Sequence, residues 1–151
     1  MTNLFTEEYL DDILDTANNI VEEEEMLSRY HFENTIYLYA VFEKQVAYQI
    51  IQSNSAQMPL VLYETPKTAL KVVQNKNIQN PIILRFAVHT PFEPYTYDGL
   101  IEESKILVKK SGLSLQDYIN KCKYVRNYNI KEKLIEYTIK DLKLIVNVQN
   151  I

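Results

Sequence analysis

The 151-residue sequence contains one cysteine, two glycines and two histidines, and these small numbers exclude several kinds of site. Cys122 has no second cysteine to pair with, so the chain cannot form an intrachain disulfide. His31, His89 and Cys122 are far apart and lack metal-ligand spacing, so we expect no metal site. Neither Gly99 nor Gly112 belongs to a phosphate-binding loop that continues into Lys-Ser or Lys-Thr, which excludes a P-loop nucleotide hydrolase. Two histidines also leave few ways to activate a nucleophilic Ser, Thr or Cys.

Long hydrophobic runs are also missing. The longest apolar stretches are of strand length, far short of the ~20 residues that cross a bilayer. The sequence does not begin with a basic region followed by an apolar one, as a secretory signal does. Together with the lone cysteine, these absences predict a cytoplasmic protein without a membrane partner.

Charge is distributed unevenly along the chain, although the net charge is only −4. Residues 1–33 hold ten acids and one base, residues 34–103 hold six acids and five bases, and residues 104–151 hold four acids and ten bases. The three segments therefore carry −9, −1 and +6. Such opposite charges can dock on each other, pair between two copies, present separate partner surfaces, or simply be solvated.

The acidic segment has the pattern of an amphipathic helix. Thr6 is a suitable N-cap, and Glu7 and Glu8 lie in the first turn, where the helix dipole favours acids. Apolar residues follow at a spacing of three and four: Tyr9, Leu10, Ile13, Leu14, Ala17, Ile20 and Val21. The sequence therefore predicts a helical, acidic N-terminal segment within residues 1–33.

Residues 58–88 have the clearest strand, helix, strand pattern. An apolar run at 60–63 leads to Thr65-Pro66, a helix start, and Asn80-Pro81 precedes a strand whose apolar residues cover both faces. Burial on both faces predicts a central position in a sheet, and Arg85 is the one charge within this run.

The rest of the chain adds helices and strands around this unit. We predict a central strand at 35–42, a helix at 43–52, a loop at 89–99, helices at 100–110 and 114–122, and strands at 123–129, 134–139 and 143–149. This order indicates a single α+β domain spanning residues 1–151, with a core at 34–151 and a twisted mixed sheet of about six strands.

A basic and aromatic stretch, from Lys121 to Tyr128, is a possible nucleic-acid surface. Lys121, Lys123 and Arg126 alternate with Tyr124 and Tyr128, as cations and stacking rings do in proteins that bind single strands. Strand aromatics at this spacing are also typical of cross-strand packing, so both interpretations stay open.

Four short segments occur in an order that resembles small ADP-ribosyltransferase-like domains. They are YLYAV at 37–41, LYET at 62–65, PIILRFAV at 81–88 and LIEYTI at 134–139. In that family the first strand carries an aromatic followed by His or Arg, the second segment lies over the nicotinamide, and a late strand supplies a glutamate. Ala40 stands where the family has His or Arg.

The resemblance implies a site for NAD. Glu136 would be the catalytic glutamate that binds the nicotinamide ribose, and Tyr63, Thr65 and Arg85 would contact the cofactor. The alternative is a non-catalytic interaction or inhibitor protein, of the type found in phages or mobile elements, which binds a protein partner through its acidic helix or its basic, tyrosine-rich tail. In that case Tyr63 is a packed strand aromatic and Glu136 a solvated carboxylate.

Overall fold

The computed structural model describes residues 35–53, 55–91 and 95–151, and it confirms an α+β fold. The predicted helix within residues 1–33 lies outside the described residues. In chain order the elements are β1 (Thr35–Glu43), α1 (Lys44–Ser53), β2 (Leu60–Leu62), α2 (Pro66–Val73), β3 (Pro81–His89), β4 (Thr96–Asp98), α3 (Glu102–Ser111), α4 (Leu115–Lys121), β5 (Tyr124–Asn129), β6 (Leu134–Ile139), a 3-10 turn (Leu142–Leu144) and β7 (Ile145–Asn150).

The strands form two sheets, with the orders β1-β3-β7 and β2-β6-β5-β4. All pairs are antiparallel except the parallel pair β4-β5. The sheets meet at an isolated bridge, in which Tyr39 and Tyr63 exchange two backbone hydrogen bonds of 2.7 and 2.8 Å. Where one mixed sheet of about six strands was predicted, the described strands number seven and are divided between two sheets.

Local sequence signals explain where the helices begin and end. The Thr65 hydroxyl accepts a hydrogen bond from the Thr68 amide at 3.1 Å, and Pro66 fits the first helical position of α2. Gly112 adopts a left-handed φ of 73° at the end of α3, and the Ser114 hydroxyl caps α4. The predicted helix starts at Thr65-Pro66 and at residue 114 are confirmed.

The predicted central position of β3 is also confirmed, because β3 lies between β1 and β7. Its alternate residues enter two different apolar clusters: Leu84, Phe86 and Val88 face the main core, whereas Ile83 faces a second cluster. The main core lies between α1 and one face of both sheets, and the second cluster lies under α2. A third cluster packs α4 on Tyr97 and Val125.

The predicted loop at 89–99 is partly wrong, because Thr96–Asp98 forms β4. The prolines of this stretch, Pro91 and Pro94, precede β4 and do not remove an amide from it. Tyr97 is buried in the third cluster, whereas Tyr95 is 49% exposed. One aromatic of the predicted loop therefore packs, and another remains on the surface.

Candidate functional site

Tyr63 and Glu136 lie side by side on one face of the four-stranded sheet. Strand β2 pairs with β6 through Leu62 and Tyr137, and one further step in this antiparallel register sets Tyr63 beside Glu136. Asn127 is the partner of Glu136 on β5. Because residues directly opposite each other point to the same face of a sheet, these three side chains share one side.

This face is covered at both edges and open between them. On one side α2 packs on Tyr63 and Leu134, and on the other side α4 packs on Tyr97 and Val125. Between the two helices, one set of side chains on the same face is partly or fully exposed. We call it the open strip, and it comprises Val61, Asn127, Asn129, Glu136 and Thr138. The open strip therefore lies between the parts of this face that α2 and α4 cover.

Tyr63 lies at one edge of the open strip. Its side chain is 9% exposed and packs in the cluster that contains Leu134 and the apolar face of α2. Burial, with smaller contributions from the negative charges of Glu136 and Glu132, raises the pKa of Tyr63 to about 12. At neutral pH the phenol is therefore protonated and has an O–H to donate.

The Glu136 carboxylate is held by the turn that joins β5 to β6. Asn129 donates from Nδ2 to Glu136 Oε1 at 2.6 Å, and its own Oδ1 accepts from the Glu132 amide at 3.0 Å. Asn129 is thus fixed by the turn and in turn orients the carboxylate. The site has a neutral phenol and an oriented carboxylate as neighbours on a partly exposed floor.

Arg85 shares the face of this pair but lies apart from it. Tyr39 of β1 is the register partner of Arg85 and also the bridge partner of Tyr63. With neighbouring strands about 4.8 Å apart, the three steps from Arg85 to Glu136 span about 14 Å. Arg85 is 8% exposed, donates to Gln149 Oε1 and stacks on Tyr37, with its guanidinium carbon 5.2 Å from the ring centroid. Its guanidinium is therefore used within the three-stranded sheet.

Thr65 and Ala40 have structural positions. The Thr65 hydroxyl caps α2 and lies 2.9 Å from the Thr68 hydroxyl, so its hydrogen bonds are made within the helix start. Ala40 belongs to the main core, on the face opposite Tyr39. On β1, Tyr39 therefore faces the same side as Glu136. Tyr39 immediately precedes Ala40 in the chain.

Sequence reasoning missed a polar network on the other face of the same sheet. Arg126 donates from Nη1 to Asp98 Oδ2 at 2.9 Å and from Nε to the Tyr137 hydroxyl at 3.0 Å. The Tyr137 hydroxyl donates to Glu64 Oε1, and Arg126 Nη2 lies 3.6 Å from the same oxygen. The network extends from Glu64, which follows β2, across β6 and β5 to Asp98 of β4, and so spans the width of the sheet.

Burial and hydrogen bonding shift the pKa values of this network. Burial, reinforced by the hydrogen bond to Glu64, raises the pKa of Tyr137 to about 12. Burial likewise raises the pKa of Tyr124, whose ring lies 6.1 Å from that of Tyr137. Both phenols are neutral at physiological pH, so Arg126 is the positive charge between two carboxylates. The available signal was a pair of acids, Glu64 just after β2 and Asp98 at the end of β4, but the strand register was needed to place them beside Arg126.

The basic, tyrosine-rich stretch from Lys121 to Tyr128 is largely engaged in structure. Tyr124 is buried, Arg126 is bound to Asp98, and the ammonium of Lys123 lies 3.4 Å from Asp141. Lys121 and Tyr128 remain exposed. Among the described residues, Lys121 and Tyr128 are thus the one cation and the one ring of the expected nucleic-acid surface that are exposed with no acidic neighbour identified.

Two surface pockets of about 480 and 490 Å³ lie away from Glu136, and both are lined by Phe42 and Val46. Neither is lined by Tyr63, Thr65, Arg85 or Glu136. In residues 35–53, 55–91 and 95–151, no group of three or more His, Cys, Asp or Glu side chains is arranged to hold a metal ion. Over the same ranges, no helix has both the length and the apolar character to cross a membrane.

Comparison with protein-family models, with curated proteins and with solved structures found no match to this chain.

Proposed function

We propose that this chain is an ADP-ribosyltransferase-like domain that binds NAD over the open strip, with Glu136 at the nicotinamide ribose. The observation that carries the proposal is the adjacency of Tyr63 and Glu136, which are 73 residues apart in the sequence, on one partly exposed face. The order of the four segments predicted that these two residues belong to one site.

NAD, when bound, would supply a glycosidic bond to a positively charged nicotinamide ring, which leaves as neutral nicotinamide while positive charge develops on the ribose. A carboxylate suits this bond for two reasons: it accepts hydrogen bonds from ribose hydroxyls, and its charge stabilises positive charge that develops on the sugar. The Asn129 side chain limits the rotation of Glu136, which lowers the cost of orienting the carboxylate. The Tyr63 ring forms a firm apolar edge beside it, since the ring is anchored in the cluster under α2.

The donor set fits one end of the ligand better than the other. Glu136 and Tyr63 suit the ribose and the nicotinamide, whereas Arg85 is bound to Gln149 and stacked on Tyr37, away from the open strip. Asn127, which is exposed and next to Glu136 in register, is the polar group best placed for a second hydroxyl. We therefore assign binding of the ribose to Glu136 and Asn127 rather than to Arg85 and Thr65.

The test is the effect of NAD on thermal unfolding. A ligand at ten times its Kd stabilises the folded state by about 1.4 kcal/mol, which raises Tm by about 3–6 °C for a chain of this size. We expect this rise in the wild type and no rise in Glu136→Gln, which keeps the shape and removes the charge. Glu132→Gln is the matched control, because Glu132 is exposed on the adjacent turn, and it should respond like the wild type.

A second measurement separates binding from reaction. Hydrolysis of NAD, in which water takes the place of nicotinamide on the ribose, should release nicotinamide in the wild type and not in Glu136→Gln. If NAD at millimolar concentration leaves Tm unchanged in the wild type, or if Glu136→Gln responds as the wild type does, the proposal is wrong.

A further inference from the structure

Strand β7 forms one edge of the three-stranded sheet. β7 pairs with β3 on one side, and among the described residues no strand pairs with its other side. An edge strand carries a row of backbone N–H and C=O groups that can pair with a further strand. The burial of β7 agrees with this position, because only Ile145 is buried and four of its six residues are exposed. β7 therefore offers an edge to a strand of another molecule.

The register of β7 on β3 shows which backbone groups point outward. The Ile151 amide donates to a β3 carbonyl oxygen at 3.2 Å, so its backbone points toward β3. Backbone groups alternate in direction along a strand, so those of Gln149 also point toward β3, whereas those of Val148 and Asn150 point away from it. The bulge of this strand pair lies nearer the start of β7 and leaves residues 147–150 in regular register.

The edge lacks the residues that usually prevent two edges from pairing. Natural edge strands often carry lysine, other charges or proline. β7 has the sequence IVNVQN and contains none of these. The nearest charge before it in the chain is Lys143, and the charge beside it on β3 is Arg85, which is 8% exposed and donates to Gln149. Two copies of this strand can therefore meet without like charges on the strands themselves.

An antiparallel pair of two β7 strands makes full use of the outward groups. With a two-fold axis beside Gln149, Val148 of each copy lies opposite Asn150 of the other, and each of these pairs exchanges two backbone hydrogen bonds. Four hydrogen bonds thus join the two strands. Lys143 is six residues from the axis in each copy, so the two lysines are roughly 30–40 Å apart, well beyond the screening length of about 10 Å.

Helix α1 adds apolar surface beside the axis. It packs on β7, and the two copies of α1 lie on the same face of the joined sheet because the axis is perpendicular to that sheet. Val46 lines a pocket with Leu60 of β2, so the opposite flank of α1 faces β7. This flank carries Tyr48 and Ile51, which are 43% and 38% exposed. Lys44, the one charge of α1, lies with its ammonium 5.7 Å from the centroid of the Tyr48 ring.

The other strand edges suit this contact less well. β4, an edge of the four-stranded sheet, has three residues and includes Asp98, which is paired with Arg126. The outer edge of β1 is bridged to Tyr63 at Tyr39. We propose that two copies of this chain pair through their β7 edges into one six-stranded antiparallel sheet, and this proposal is independent of NAD binding.

The mass of the full chain in solution, measured over a concentration series, tests the pairing. We expect the mass to double with concentration and to rise no further, because two-fold pairing leaves no second β7 edge. Asn150→Pro removes an N–H that points away from β3, so the variant should fold while the dissociation constant of the dimer rises at least about tenfold. Asn150→Ala keeps this N–H and is the matched control, which should dimerise like the wild type.

Cysteine variants test the register, whether or not Asn150→Pro folds. In the proposed pair the two Gln149 Cα atoms are about 4.5 Å apart, a distance that a disulfide spans, whereas the two Val146 Cα atoms are about 20 Å apart. Oxidation by dissolved oxygen should therefore link Gln149→Cys into a dimer and leave Val146→Cys unlinked, although Val146 is 64% exposed. The native Cys122 is buried and is common to both variants.

Three results would overturn the proposal. The first is a wild type that stays monomeric across the concentration series or grows beyond two copies. The second is a folded Asn150→Pro variant that dimerises as strongly as Asn150→Ala. The third is equal linkage of the two cysteine variants, which would place the contact elsewhere on the surface.

Discussion

Replacement of Tyr137 by Phe tests the polar network that spans the four-stranded sheet. The substitution removes one hydroxyl and leaves the ring, which is 6% exposed and packed in the main core. Two hydrogen bonds to charged partners are lost, one from Arg126 Nε at 3.0 Å and one to Glu64. In a fully buried site each would contribute about 1.5–3 kcal/mol.

Solvent reduces the loss of stability, because the Glu64 and Arg126 side chains are 43% and 26% exposed. Water can therefore replace part of the hydrogen bonding that these two side chains lose. We therefore expect the free energy of unfolding to fall by about 1.5–2.5 kcal/mol in Tyr137→Phe. For a domain of this size the urea midpoint should fall by about 1 M at an unchanged m value. Arg126→Met should lower the free energy of unfolding by less in the Tyr137→Phe variant than in the wild type, because Arg126 and Tyr137 belong to the same network.

Tyr128→Phe is the matched control, because it removes the same atom from an exposed ring on β5. It should change the free energy of unfolding by less than about 0.5 kcal/mol. If Tyr137→Phe is as stable as Tyr128→Phe, the network adds nothing to folding and the reasoning is refuted.

Two further predictions concern Tyr63 and Gly112. Because the pKa of Tyr63 is raised from 10.0 to about 12, the stabilisation from its buried neutral phenol is complete below pH 10 and is lost as the pH rises through 12. Between urea titrations at pH 9 and pH 12, Tyr63→Phe should therefore lose less free energy of unfolding than the wild type. Equal losses in the two proteins would contradict this prediction. Gly112→Ala should lower the free energy of unfolding by about 1–2 kcal/mol, because the φ of 73° strains a residue with a Cβ. No atom lies within 4 Å of the added Cβ, so the loss would come from the backbone and not from a clash. An unchanged urea midpoint would show that the left-handed backbone carries no cost.

Local features of the fold could be predicted from the sequence because their causes are local. A hydroxyl that caps a helix, as at Thr65 and Ser114, lies within three residues of the amide that it binds. A glycine such as Gly112 ends a helix through its own backbone. The two-sided burial of β3 follows from its composition alone.

Long-range pairing could not be predicted in the same way. The division into two sheets depends on which strand edges meet, and no residue of β1 or β2 carries that information by itself. The same applies to the contact of Arg126 with Asp98, 28 residues earlier, because it needs the parallel register of β4 on β5. The resemblance of segment order predicted that Tyr63, Arg85 and Glu136 contact one cofactor, but it could not supply the strand register, which sets Arg85 about 14 Å from Glu136.

The bridge between Tyr39 and Tyr63 has a mechanical consequence. In the described part of the chain, these two hydrogen bonds form the bridge between the sheets. Tyr63, one of the two bridging residues, borders the open strip. Displacement of the Tyr63 backbone would break its hydrogen bonds to Tyr39, which is the register partner of Arg85. The bridge is thus the point at which a ligand on the open strip would alter the backbone hydrogen bonding of the three-stranded sheet.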